Sequence, residues 1–186
     1  MKFKIFFFLF FLTCPSFLYS HVNHYDKIEY IEMDVLRNGK KIGYNKYIFG
    51  LKNDLSIVKN EANFIAKFAG FNLLSISGSS IETYKNGKLI KFQSSTSQNK
   101  KKKYNDLIYD ESKNVYNING SSFKGIAPSN AVVGNWWNHN ILQSKIVISP
   151  LSGSLKFQEV YFLSKETLEI DNNTYDTRRF KIVLKK

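Results

Sequence analysis

The stretch Ser80-Ile-Glu-Thr-Tyr-Lys-Asn-Gly-Lys-Leu-Ile-Lys-Phe-Gln-Ser-Ser-Thr96 reads as a strand, a turn at Asn86-Gly87 and a second strand. Asn followed by Gly is the strongest short-range hairpin signal. A two-residue type I′ turn needs positive φ at both central positions, which Asn tolerates and Gly adopts at no steric cost. The same pattern stands upstream, where Ile31, Met33 and Val35 alternate with Glu32 and Asp34, Asn38-Gly39 turns the chain, and Ile42 to Leu51 returns it. Two such hairpins in a short chain favour an antiparallel meander over βαβ crossovers.

Lys52-Asn53-Asp54 marks the next turn, and Leu55 to Phe68 alternates with Val58, Ala62, Phe64, Ala66 and Phe68 on one face. Ala69-Gly70-Phe71-Asn72 reads as a hairpin tip, while Gly78-Ser79-Ser80 and Gly120-Ser121-Ser122 read as turn chemistry. Lys100 to Lys103, inside the segment Gln98 to Lys103, read as a solvated loop. Leu107 to Tyr109 and Val115 to Ile118 are short strands, followed by a turn at Asn119-Gly120. Both periodicities vanish from Phe123 to Gly134, and Asn138 to Ser144 is the one plausible helix. Ile146 to Ile148, Leu155 to Leu163, Thr167 to Ile170 and Tyr175 to Leu184 complete the strands. About ten strands at short spacing, with one short helix near 138–144, predict an all-β fold: an antiparallel β-barrel or a strongly curved meander.

Met1-Lys2-Phe3-Lys4 is a short basic segment before an unbroken apolar run from Ile5 to Leu12. The run is shorter than the about 20 residues a spanning helix needs, so residues 1–20 read as a secretory signal cleaved after Ser20. The mature chain, residues 21–186, is then expected to be a single periplasmic β domain with no stable transmembrane segment. The only cysteine, Cys14, leaves with the signal, which removes disulfides, thiolate nucleophiles and cysteine-held metals together. Twenty-seven Lys and Arg stand against 15 Asp and Glu. A field of that sign suits acidic partners, but nearly all of it is Lys, accompanied by abundant Asn, Ile, Phe and Tyr. That is the composition an AT-rich genome writes, and export leaves nucleic acid no role.

Asn38-Gly39-Lys40-Lys41-Ile42-Gly43, Glu82-Thr83-Tyr84-Lys85-Asn86-Gly87-Lys88-Leu89, Thr96, Trp136-Trp137, Ser152-Gly153 and Arg178-Arg179-Phe180 follow one another in an order that resembles a secreted bacterial family. This is the domain of unknown function 6134 family, and more distantly the domain of unknown function 3108 family. The resemblance spans roughly Tyr30 to Leu184. It implies a periplasmic all-β domain and supplies no catalytic residue.

Candidate chemistry is sparse. Glu82 lies inside a predicted strand, where a lone buried carboxylate is costly unless compensated. Phe180, Ile182 and Leu184 mark the inward positions of the last strand, which nominates Arg178 as its buried structural partner and places Arg179 outside. An enzymatic alternative, hydrolytic or copper-dependent, would draw on Glu82, His21 and His139, with His24 as a further copper ligand. No Gly-x-Ser-x-Gly elbow, phosphate loop or metal-spaced cluster is present in the sequence, and no cofactor or metal is expected. The aromatic load instead suggests a β shell around either a packed core or a cavity, with Phe64, Phe68, Tyr84, Phe92, Trp136 and Trp137 as its candidate lining. The favoured reading is therefore a non-enzymatic envelope protein that binds a lipophilic small molecule or an envelope protein.

Overall fold

The computed structural model describes residues 28–170 and 172–185. The expected signal peptide, Cys14, His21 and His24 lie outside those residues. Strands β1 (Tyr30–Arg37), β2 (Lys40–Lys52), β3 (Leu55–Phe68), β4 (Phe71–Lys85), β5 (Lys88–Gln98), β6 (Lys101–Asp110), β7 (Val115–Gly120) and β8 (Lys124–Pro128) form one antiparallel sheet in chain order. Both residues of each early turn have positive φ: 51° and 74° at Asn38-Gly39, and 49° and 74° at Asn86-Gly87. This is the sign pattern of a type I′ hairpin, whose twist matches that of its strands.

A second sheet follows. It contains β9 (Val132–Val133), β10 (Ile146–Ile148), β11 (Leu155–Ile170) and β12 (Asn173–Lys185), in the spatial order β12-β11-β10-β9. A 3₁₀ turn, His139–Leu142, bridges β9 and the parallel β10. Among the described residues no helix is long and apolar enough to cross a membrane.

The fold is thus all-β and the meander alternative is the one that forms: the first sheet runs from β1 to β8 without closing into a barrel. Its inward face is buried by another route. Tyr47, Val58, Phe92, Leu107, Ile118 and Ala127, from β2, β3 and β5 to β8, meet Val133, Trp137 and Ile148 in one cluster. The segment from β9 to β10 therefore acts as a plug, which removes the sheet's apolar face from water without closure. Twelve strands stand where about ten were expected, and the expected helix at 138–144 is a single 3₁₀ turn. Past that turn, Gln158 Nε2 donates to the carbonyls of Ile141 and Ser144, at 2.5 and 2.8 Å, and so supplies partners in place of helical N–H groups.

Three local expectations change. Lys101 to Lys103 belong to β6, and only Asn99 and Lys100 turn the chain, with φ of 49° and 65°. Asn99 makes this tight turn tenable because its side chain accepts from Ser75 N at 2.7 Å. Gly78-Ser79-Ser80 lies mid-strand in β4, paired on both sides. Gly120 ends β7, and the turn expected at Asn119-Gly120 falls two residues later, at Ser121-Ser122.

Register defines rows across the inward face. One row is Phe49, Val58, Glu82, Phe92, Leu107 and Ile118: apolar except for Glu82. The next is Tyr47, Asn60, Ser80, Ser94, Asn105 and Gly120, which is almost wholly polar or small. The third begins Asn45, Ala62, Gly78 and Thr96. Past Gln158, β11 and β12 pair with each other as a two-stranded ribbon, bulged at Phe162/Ser164. Val160, Phe162, Phe180, Ile182 and Leu184 share one ribbon face. Phe162 and Phe180 meet edge-on at 5.7 Å, yet Phe162 and Leu184 remain 55% and 58% exposed.

Candidate functional site

Glu82 is 1% exposed, so the sequence argument that its strand face is inward holds. Its partner is not Arg178. Alternation does put Arg178 on the face of Phe180 and Ile182, but the ribbon has by then left the core, and Arg178 stands exposed opposite Lys165. Arg179 is exposed too and pairs with Glu166 at 2.8 Å.

Three uncharged donors hold Glu82 instead. Asn135 Nδ2 donates to Oε1 at 2.6 Å, Trp137 Nε1 to the same oxygen at 2.9 Å, and the Tyr84 hydroxyl to Oε2 at 2.5 Å. Two of these donors come from the plug and the third from two residues along β4, so the carboxyl ties the plug to the centre of the sheet. Trp137 is wedged edge-on between Phe49 and Tyr84, at centroid distances of 5.4 and 5.9 Å. Burial raises the Glu82 pKa above the ordinary carboxylate value, and the hydrogen bonds from Tyr84, Trp137 and Asn135 oppose that rise. Burial and the adjacent carboxylate push the Tyr84 hydroxyl well above its usual value, which keeps it a donor.

A cleft lies on each side of this knot. The first, about 290 Å³, is bordered by Tyr84, Lys88, Tyr116, Asn138 and Asn140. Lys88 Nζ sits 4.4 Å from the Tyr109 ring centroid and donates to the Ser129 carbonyl at 3.2 Å; burial lowers its pKa. The same burial pushes Tyr116 up to about 12. The second cleft, about 200 Å³, is a half-open cup on the two polar rows. Asn45, Tyr47, Asn60, Ser80, Ser94 and Thr96 form its floor, with Asn135, Trp136 and Leu151 among its walls.

The chain's family is decided at this point, because a family model described as a domain of unknown function, DUF6134, matches residues 33–186. The chain belongs to that family. The match runs from β1 through β12 and so contains the knot, both clefts and the ribbon of this DUF6134 chain. No curated protein and no solved structure matches.

In this DUF6134 fold the six nominated aromatics separate. Tyr84, Phe92 and Trp137 are core residues at 4%, 0% and 3% exposure, and Phe64 borders the cup. Phe68 lies at the β3–β4 tip and Trp136 on the cup's rim, both 67% exposed. His139 sits in the 3₁₀ turn and is not among the hydrogen-bond partners of Glu82. Asn135 was missed in the sequence. It and the Trp137 indole both donate to Glu82 from more than 50 residues away, a pairing that no local pattern records.

Proposed function

We propose that this chain is an exported, non-enzymatic binding protein of the bacterial envelope, periplasmic after loss of residues 1–20, which docks an apolar surface of an envelope protein on the β11–β12 ribbon. One observation carries the reading: a hairpin of 16 and 13 residues extends beyond the plug and presents Val160, Phe162, Phe180, Ile182 and Leu184 on one face. Contiguous apolar surface left open to water marks interaction sites. The basic segment and apolar run at the N-terminus support export. A packed plug beneath the sheet favours the protein partner over a lipophilic molecule in the interior. Glu82 spends its acceptors on Tyr84, Asn135 and Trp137, which suits a structural tie better than proton transfer to a substrate.

Photo-crosslinking amino acids placed at Phe162 and, on the opposite ribbon face, at Lys181 test this in living cells. A discrete protein adduct from position 162 and not from 181 is expected. Lipid adducts alone, or equal labelling from both faces, would overturn it.

A further inference from the structure

We infer that the cup beside the Glu82 knot is a binding site for a neutral sugar ring, free or at the end of a glycan. The inference begins with an orphan. Ser80 is 6% exposed, borders the cup, and its Oγ has no hydrogen-bond partner. Buried hydroxyls are nearly always paired, so a lone one on a residue that borders a cleft points to a partner supplied from outside the chain.

The rest of the lining says what that partner is. Among the described residues, no side chain bordering the cup carries a charge. A phosphate, carboxylate or ammonium would shed water there without a counter-ion, which is prohibitive. A hydrocarbon would leave the Ser80 hydroxyl unanswered, whereas the larger apolar share of the lining, from Phe64, Ile76, Trp136 and Leu151, suits the C–H faces of a polar ring. Asn60 Nδ2 already donates to Asn45 Oδ1 at 2.5 Å, and Asn45 Nδ2 to the Tyr47 hydroxyl at 3.0 Å, so the amides are fixed in orientation before any ligand arrives. Ser94 Oγ is held by the Pro150 carbonyl at 2.6 Å. Fixed neutral donors and acceptors, with Phe64 and Trp136 presenting aromatic surface, match a molecule that has hydroxyls around its edge and C–H bonds on its faces. At about 200 Å³ the cup admits one such ring and not a chain of them.

The small side chains keep this space open. Ala62 and Gly78 are paired neighbours in the third row, and an added Cβ at Gly78 would come within 2.5 Å of Thr96 Oγ1. Because the site lies on the sheet and not on the ribbon, it stands or falls independently of the docking face.

Saturation-transfer NMR on the purified protein provides the test, with glucose, galactose and N-acetylglucosamine as probes, each as reducing sugar and as methyl glycoside, and glucuronate and laurate as charged and lipophilic comparisons. At least one neutral sugar is expected to bind in one of these forms, and Ala62→Leu, which fills the cup, to abolish the signal. Ser80→Ala is expected to weaken binding about tenfold while leaving the thermal midpoint level or higher, because it deletes an unpaired buried hydroxyl. That pairing of effects keeps the test valid even if Ala62→Leu fails to fold. Binding of the reducing sugar with exclusion of its methyl glycoside identifies a free sugar; equal binding of both identifies a glycan end. No neutral sugar bound, glucuronate or laurate preferred, or affinity unchanged in Ser80→Ala would overturn the inference.

Discussion

Replacing Glu82 by alanine and by glutamine separates its charge from its hydrogen bonds. Alanine strips the acceptor from Tyr84, Asn135 and Trp137, all at buried positions. Each orphaned donor costs about 1–3 kcal/mol, and relief of the buried charge offsets part of the sum, so a net loss of about 3 kcal/mol is expected. For a chain of this size that lowers the thermal midpoint by about 6–12 °C. Glutamine keeps an oxygen for Asn135 and Trp137 and can donate to the Tyr84 oxygen, as a protonated carboxyl would. Glu82→Gln is therefore expected within about 1 kcal/mol of the native protein at pH 7. Since burial raises the folded pKa of Glu82 above 4.5, its titration contributes stability that is full below that value and lost as pH rises through the folded pKa. Glu82→Gln lacks this loss, so it should gain on the native protein from pH 4 to pH 8 in thermal melts. Equal, large losses in both variants, with no pH trend between Glu82→Gln and native, would refute the reasoning. They would mean the carboxylate meets a cation that the three neutral donors do not account for.

Other perturbations follow from the same packing. Arg178→Ala should change stability by less than about 0.5 kcal/mol in urea titrations, since its side chain is exposed on the ribbon; a loss near that of Glu82→Ala would restore the ion pair. Phe92→Ala, at a fully buried position, should cost about 3–5 kcal/mol, whereas Trp136→Ala on the cup rim should leave the melting midpoint nearly unchanged. Gly120→Ala would bring a Cβ to 2.3 Å from the Ser152 carbonyl oxygen. The loop must then shift, at about 1–3 kcal/mol, seen as a lower urea midpoint.

Local chemistry was legible wherever one residue decides the backbone. The type I′ turns at Asn38-Gly39 and Asn86-Gly87 needed no tertiary context, because positive φ is a property of the turn residues themselves. Alternation likewise carried Val58, Ala62, Phe64 and Ala66 to the inward face, although Phe68, assigned to the same face, is exposed at the hairpin tip. Where Gly and Ser lie in a strand the same rules misled, since Gly78-Ser79-Ser80 looks like a turn when read alone. Its neighbours on β3 and β5 make it a strand, and the polar row then faces inward because it borders a cup instead of a dry core.

The chain's own residues thus determined that it is an antiparallel meander, which strand faces turn inward, and that Glu82 must be satisfied within the fold. Only the tertiary structure decided how. A carboxylate in an apolar row accepts whichever donors the topology delivers, and the plug delivers Asn135 and Trp137, more than 50 residues away, while Arg178 is carried out on the ribbon. Closure was a tertiary matter for the same reason. Alternation states that one face of a sheet must leave water; whether the sheet's own edge or an inserted segment covers it depends on contacts between residues distant in the chain, which no local period records.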